Sequence, residues 1–173
     1  VVARETLDYL LREMQHERGG FYSSQDADSE GVEGKFFVWQ QDEVQQLLGE
    51  AAGLAMRHYG ITAAGNWEHS NVLVLGERAE AISAATGRPL PEVTEAIGKV
   101  RGTMLAARTK RVHPGTDDKI LCAWNGLAIT ALATGYRILG DERYLEAAQR
   151  AAAFVLQEMV QDGRCLRSWH SGK

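Results

Sequence analysis

The stretch "TDDKILCAWNGLAITALATGYRILG", Thr116 to Gly140, decides the fold class. From Asp117 to Leu139 it carries Ile120, Leu121, Ala123, Trp124, Leu127, Ala128, Ile129, Ala131, Leu132 and Ile138, which leaves almost no polar face. A helix of that composition is expected to be buried nearly all round. Gly140 predicts its C-cap and Asp141 the N-cap of a second helix, whose Tyr144, Ala148, Ala151, Val155 and Met159 form a single apolar stripe. The two read as a helical hairpin, one inner helix and one outer.

The rest of the chain supports a mainly helical reading. Leu7, Leu10, Leu11 and Met14 share one helix face and predict a helix over 2–17, closed by Gly19-Gly20. "KFFVWQ" (35–40) reads as a strand or extended segment, and Asp42 as the cap of a helix carrying Val44, Leu47 and Leu48. A further helix is expected over 51–59 and an extended piece over Val72–Leu75. Pro89 and Pro91 open a helical pattern that lasts to about Arg111 and ends at Pro114-Gly115. There is also an internal echo: "YLLREMQHERGGFYSS" (9–24) and "FVLQEMVQDGRCLRSW" (154–169) share an order of aromatic, apolar pair, Glu-Met, glycine turn and extended residues. Repetition of that kind suggests helical pairs arranged as an array or ring, each burying its face on the next.

With 173 residues, 45% of them hydrophobic, one globular domain is the default expectation. A formal net charge of −4 gives no general attraction for phosphate backbones or anionic lipid, so neither nucleic acid nor membrane is expected as a partner. No run reaches the roughly 18 apolar residues of a membrane helix, and the basic-then-apolar order of a signal peptide is missing, which points to the cytoplasm. Cys122 and Cys165 form no C-x-x-C pair and read as buried thiols. The sequence starts at Val1 inside an expected helix and stops at Ser171-Gly172-Lys173 where a turn is expected, so it reads as a piece of a longer protein.

"GGFYSSQDADSEGVEGKFFVWQ" (19–40) concentrates carboxylates, glycines and aromatics. Asp26, Asp28, Glu30 and Gly31 match the first half of an EF-hand loop, but the twelfth position is Phe37 where a bidentate Glu is required. An EF-hand is therefore set aside, which leaves a looser cation loop, an acidic surface turn, or the lip of a cleft. Phe36, Phe37 and Trp39 directly after the acids favour a cleft, since a pyranose offers a C–H face for stacking and hydroxyls for carboxylates. The competing reading of those aromatics is as core.

"GNWEHSN" (65–71) repeats the mix with Asn66, Trp67, Glu68, His69 and Asn71, and His69 is the preferred titrating group. Asp117 and Asp118 suit a helix start, whereas Lys119, Trp124 and Asn125 on an inner helix need partners or a cavity. Arg108, Lys110, Arg111 and His113 form a basic cluster with two readings, a holder for an anion or the ordinary cations that complement a helix C-terminus. No serine-hydrolase elbow, zincin, P-loop or dinucleotide fingerprint occurs.

Three strings in order, "GGFYSSQDADSEGVEGKFFVW", "GNWEHSNVLV" and "DDKILCAWNGLAI", closely resemble the C-terminal helical region of the spermatogenesis-associated, thioredoxin-like protein family. The resemblance implies part of an (α/α)6 toroid, similar to six-hairpin glycosidases and N-acylglucosamine 2-epimerases, over 1–173, without the family's thioredoxin-like domain. Gln25, Trp67 and His69 depart from its usual acid, Phe and Gly. Such toroids carry their site in loops at the end of the inner helices. Asp26, Asp28, Glu33, Glu68, Asp117 and Asp118 are accordingly the catalytic candidates, with Lys35, Trp39, Asn66, His69, Lys119, Trp124 and Asn125 as substrate-binding candidates.

The expectation is a carbohydrate-directed, epimerase- or glycosidase-like cleft with a small sugar as ligand, no cofactor and no metal. The alternative is a non-catalytic helical scaffold or binding module attached to a thioredoxin-like redox domain. Inner faces exposed in a partial ring would favour self-association of the chain.

Overall fold

The computed structural model describes residues 2–170; the turn expected at Ser171-Gly172-Lys173 lies outside them. In chain order the first elements are α1 (Val2–Tyr9), a π-helical turn (Leu10–Met14), and the two-residue strands β1 (Ser24–Gln25), β2 (Asp28–Ser29) and β3 (Val32–Glu33). Next come α2 (Gln41–Leu48), a 3-10 turn (Gly49–Ala51), α3 (Ala52–Tyr59), α4 (Ala79–Thr86) and α5 (Leu90–Arg108). The chain continues with β4 (Thr116–Asp117), β5 (Lys119–Leu121), α6 (Cys122–Leu139) and α7 (Glu142–Glu158), then β6 (Val160–Gln161), β7 (Arg164–Cys165) and β8 (Ser168–His170). The fold is mainly α-helical with short strands in its loops. It divides into two compact units: Ala27–Pro114, and the chain up to Asp26 together with that from Gly115 onward.

The second of these units is built on the α6–α7 hairpin. Gly140 closes α6 in the left-handed conformation (φ 67°), and the Asp141 carboxylate accepts the Arg143 backbone N–H at 3.2 Å. Both caps match their sequence signals. Leu132, Tyr144, Ala147, Ala148 and Ala151 form the core with Leu7, Met14 and Phe21, so α1 and α7 pack on one side of α6. A second cluster joins Ile120, Phe154, Met159 and Trp169.

Two expectations fail at α6. The helix begins at Cys122 rather than Asp117, because Thr116–Leu121 is taken up by ladders: Ser24 pairs with Asp117 and Ile120 with Trp169. Asp117 and Asp118 are thus strand and loop residues, not helix caps. Nor is α6 buried all round, since Trp124 (54%), Leu127 (71%) and Ile138 (72%) are exposed on the side that neither α1 nor α7 covers.

The internal echo folds as two similar hooks. The Met14 carbonyl accepts from Tyr22 N–H at 2.9 Å, and the Met159 carbonyl from Leu166 N–H at 2.7 Å. Gln15 bridges Phe21 in one hook and Val160 pairs with Cys165 in the other. Both hooks then run along the Thr116–Leu121 segment, as β1 on β4 and β8 on β5. The helix expected over 2–17 ends sooner, at Met14, because Gln15 is already extended for this return.

In the Ala27–Pro114 unit, α2, α3 and α5 bury Trp39, Val44, Ala55, Ile61, Val100 and Met104. "KFFVWQ" differs from the strand reading: Phe37 and Val38 donate back to the Gly34 carbonyl in a turn, and only Trp39 makes a bridge, to Asn71. Helix α2 starts from Gln40, with Asp42 in its first turn rather than at the cap. The extended piece after Asn71 finds no strand. Instead Val74, Gly76 and Glu77 donate their N–H groups to the Tyr59, His58 and Arg57 carbonyls, satisfying the open end of α3. Helix α4 had no clear sequence signal, since Ile82 is its one buried residue.

Candidate functional site

Two hairpins and a cation shape a pocket of about 650 Å³ inside the Ala27–Pro114 unit. The first is β2–β3, which turns through Glu30 (φ 54°) and Gly31 (φ 74°). The second is the bridge of Trp67 to Ser70, which turns through Glu68 (φ 44°) and His69 (φ 61°). Two consecutive positive φ values are the signature of the tightest hairpin turn, one whose twist matches that of the paired strands. Both turns therefore present their first residue, a glutamate, at the pocket.

Local chemistry holds these hairpins in place. Ser29 is buried, and its hydroxyl donates to the Val112 carbonyl at 2.6 Å. Asn66 closes the second hairpin with its side chain, accepting from Val72 N–H at 2.8 Å and donating to the Val72 carbonyl at 2.9 Å. Gln40 donates to the Ser70 hydroxyl at 2.8 Å. Gly34 has φ 69°, and a Cβ there would meet the edge of the Trp67 ring at 2.9 Å, so glycine leaves room for the indole against the turn.

Arg111 secures the pocket from the chain just past α5. Its guanidinium donates to the Phe36 carbonyl at 2.9 Å, the Val38 carbonyl at 2.8 Å and the Glu43 carboxylate at 2.7 Å. It also lies 4.2 Å over the Trp39 ring, while Arg108 stacks on Phe36 at 5.4 Å. The planar fork of arginine suits this combination of bonds and stacking. Two of the pocket's carboxylates are thereby engaged: Glu43 by Arg111, and Glu30 by Lys35 at 2.8 Å. Among the described residues, no hydrogen bond or ion pair engages the Glu33 or Glu68 carboxylate.

Of the residues expected at a site, the pocket collects Glu33, Lys35 and Glu68. Asp28 is exposed in β2 outside the lining, and His69 sits exposed at the hairpin tip. Trp39 is 2% exposed, covered by Arg111, and offers no face for stacking. Trp67, Gln40, Ser70, Glu43, Lys110 and Arg111 also line the pocket, though none of them was among the site candidates. A readable signal existed for Trp67, which stands in the same turn as Glu68 and one residue from Asn66.

Asp26, Asp117, Asp118, Lys119, Trp124 and Asn125 belong to the other unit. Asp117 pairs with Lys119 at 2.9 Å, and the Lys119 hydrogen bond is the main cause holding its carboxyl below the usual range. Asp118 meets His170 Nε2 at 2.8 Å. Asn125 is fully buried, accepting from Phe21 N–H at 2.7 Å and donating to the Phe21 and Leu121 carbonyls, both at 3.0 Å. Its amide is thus spent on fastening the first hook to α6. Trp124 projects from the uncovered side of that helix. Among the described residues no three His, Cys, Asp or Glu side chains gather as a metal group, and no helix is long and apolar enough to cross a membrane.

No protein-family model matches the chain. Human spermatogenesis-associated protein 20 is 34% identical over 199 aligned residues, which cover 99% of this chain and 25% of the human protein. The chain is similar to spermatogenesis-associated protein 20. The rat protein of that name matches with the same identity and coverage, and an uncharacterized Caenorhabditis elegans protein is 30% identical over 94% of this chain and 26% of its own length. The chain thus spans about a quarter of the length of spermatogenesis-associated protein 20.

Proposed function

We propose that the pocket of the Ala27–Pro114 unit binds a small polyhydroxylated ligand, a sugar or a close relative. The observation that carries this reading is the pair of uncommitted carboxylates, Glu33 and Glu68, in one pocket with the Trp67 indole and the Gln40 amide. Carboxylates and amides take hydroxyl hydrogens, and an indole edge or face takes the C–H side of a sugar ring. Glu33 and Glu68 are also the candidates for acid/base work on such a ligand, in an epimerase- or glycosidase-like reaction.

The (α/α)6 toroid of the spermatogenesis-associated, thioredoxin-like family is the architecture to which we assign the chain. Similarity along 99% of the chain supports this, as do the α6–α7 hairpin and its two matching hooks. The uncovered apolar side of α6 favours the scaffold reading as well, because a helix exposing Trp124, Leu127 and Ile138 is suited to packing against further helical segments.

The test is a thermal-shift series on this chain with mono- and disaccharides, repeated for Glu33→Gln and Glu68→Gln. Both residues are exposed, so the variants should fold normally. A stabilisation by one sugar class that both variants lose is the expected result. Indifference to every sugar, or a response that survives both changes, would reject the pocket.

A further inference from the structure

The charged side chains that line the pocket of the Ala27–Pro114 unit do not balance. Four are glutamates, Glu30, Glu33, Glu43 and Glu68, and three are cations, Lys35, Lys110 and Arg111. Lys35 neutralises Glu30 at 2.8 Å and Arg111 neutralises Glu43 at 2.7 Å. The Arg111 guanidinium also serves the Phe36 and Val38 carbonyls, so its donors are spent on the protein. What remains is two carboxylates, Glu33 and Glu68, against one ammonium, Lys110, all three exposed and, among the described residues, in no ion pair.

The aromatic rings of the same unit point the same way. Trp39 lies under the Arg111 guanidinium at 4.2 Å, and Phe36 and Phe37 face the Arg108 guanidinium at 5.4 and 5.7 Å. Those rings already hold a cation that the protein supplies. Trp67 differs: it is half-buried, its edge lies against Gly34, and it lines the pocket. Among the described residues no guanidinium, ammonium or second ring stacks on it.

An indole without a cation and two carboxylates without a counter-charge are the groups that receive an ammonium. The ring quadrupole and both carboxylates attract the same positive charge, and the carboxylates accept its N–H groups. A neutral sugar leaves the imbalance in place. A sugar phosphate or uronate adds repulsion from Glu33 and Glu68 that Lys110 alone offsets only in part.

We infer that the polyhydroxylated ligand proposed above for this pocket carries a protonated amine, and that Glu33, Glu68 and Trp67 select it over its neutral and anionic counterparts. This selectivity rests on the sugar pocket and adds the ligand's charge to it. The Gln40 amide and the Ser70 hydroxyl, joined at 2.8 Å, are left for neutral hydroxyls. Lys110 opposes the ammonium and so weakens binding of the ligand that the glutamates attract.

The experiment is isothermal titration of the purified chain at low salt with glucose, galactose and mannose, with their 2-amino derivatives, and with their 6-phosphates. Expected is a 2-amino sugar that binds at least about tenfold more tightly than its parent hexose, the worth of one hydrogen bond to a charged group. That preference should shrink as salt rises, and the phosphates should bind more weakly than the neutral sugars. Glu33→Gln and Glu68→Gln should each narrow the preference by about twofold to fivefold, and Lys110→Gln should widen it by a similar factor, a gain that a purely structural role would not produce. Hexoses that bind as tightly as their amines, or a preference that survives both glutamate changes, would overturn the charge selection and leave the sugar pocket standing. Failure of every sugar, neutral or aminated, would remove the pocket and the selection together.

Discussion

Replacing Arg111 tests how the pocket is held together. Its side chain is 20% exposed and holds the Phe36 and Val38 carbonyls, the Glu43 carboxylate and the Trp39 ring, with a longer bond of 3.5 Å to the Lys35 carbonyl. Each bond from a charged donor to a backbone carbonyl is worth about 1–1.5 kcal/mol here, at the lower end because water reaches the edge of the site. Stacking on Trp39 adds about 1 kcal/mol. The Glu43 partner is 43% exposed, which reduces that ion pair to about 0.5 kcal/mol. Arg111→Ala should therefore cost about 3.5–4.5 kcal/mol, and Arg111→Lys, which keeps charge but loses the fork, about half of that. Urea titration followed by tryptophan fluorescence measures both, since Trp39 and Trp67 report on this unit. A loss below 1 kcal/mol for alanine, or a lysine variant as stable as the parent, would refute the claim that the fork fastens the 36–38 turn.

Three further outcomes are expected. Asn125→Ala strands the buried Phe21 N–H and carbonyl and should destabilise by about 3 kcal/mol in thermal unfolding, with Asn125→Asp close behind because it loses both donated bonds. His69→Gly should stabilise by about 0.5–1 kcal/mol, read as a rise of about 1–4 °C, because glycine meets φ 61° without a Cβ penalty. Asp141→Asn should flatten the acid limb of the stability profile: hydrogen bonds from Arg143 lower the Asp141 pKa in the folded chain, so its contribution is present above the ordinary carboxylate range and fades as pH falls through it and below. A parent and variant with parallel melting curves from pH 6 to about pH 2 would contradict that assignment.

Legibility in the sequence followed the range of the interaction involved. The α6–α7 hairpin, its Gly140 and Asp141 caps and the stretch of α3 were readable because periodicity and capping act within a few residues. The hook echo was readable because both copies carry their own glycine turn. The strands of Thr116–Leu121 were not, since their partners at Ser24 and Trp169 lie far away in the chain and pairing overrode a good helical pattern. The site was half visible for the same reason. Glu33, Lys35 and Glu68 stood in suggestive turns, but only folding could place Lys110 and Arg111 beside them.

By itself the sequence determined helical class, most helix positions, the glycine turns and the acidic-aromatic loops, because these follow from spacing, propensity and φ preference along one local stretch. Tertiary structure alone decided that Asn125 serves backbone groups, that Trp39 lies beneath a guanidinium, that one side of α6 is exposed and that Cys165, read from the sequence as a buried thiol, is exposed and Cys122 half-buried. Each of those outcomes depends on what a distant segment brings to the same place, and an amino-acid pattern carries no measure of that distance.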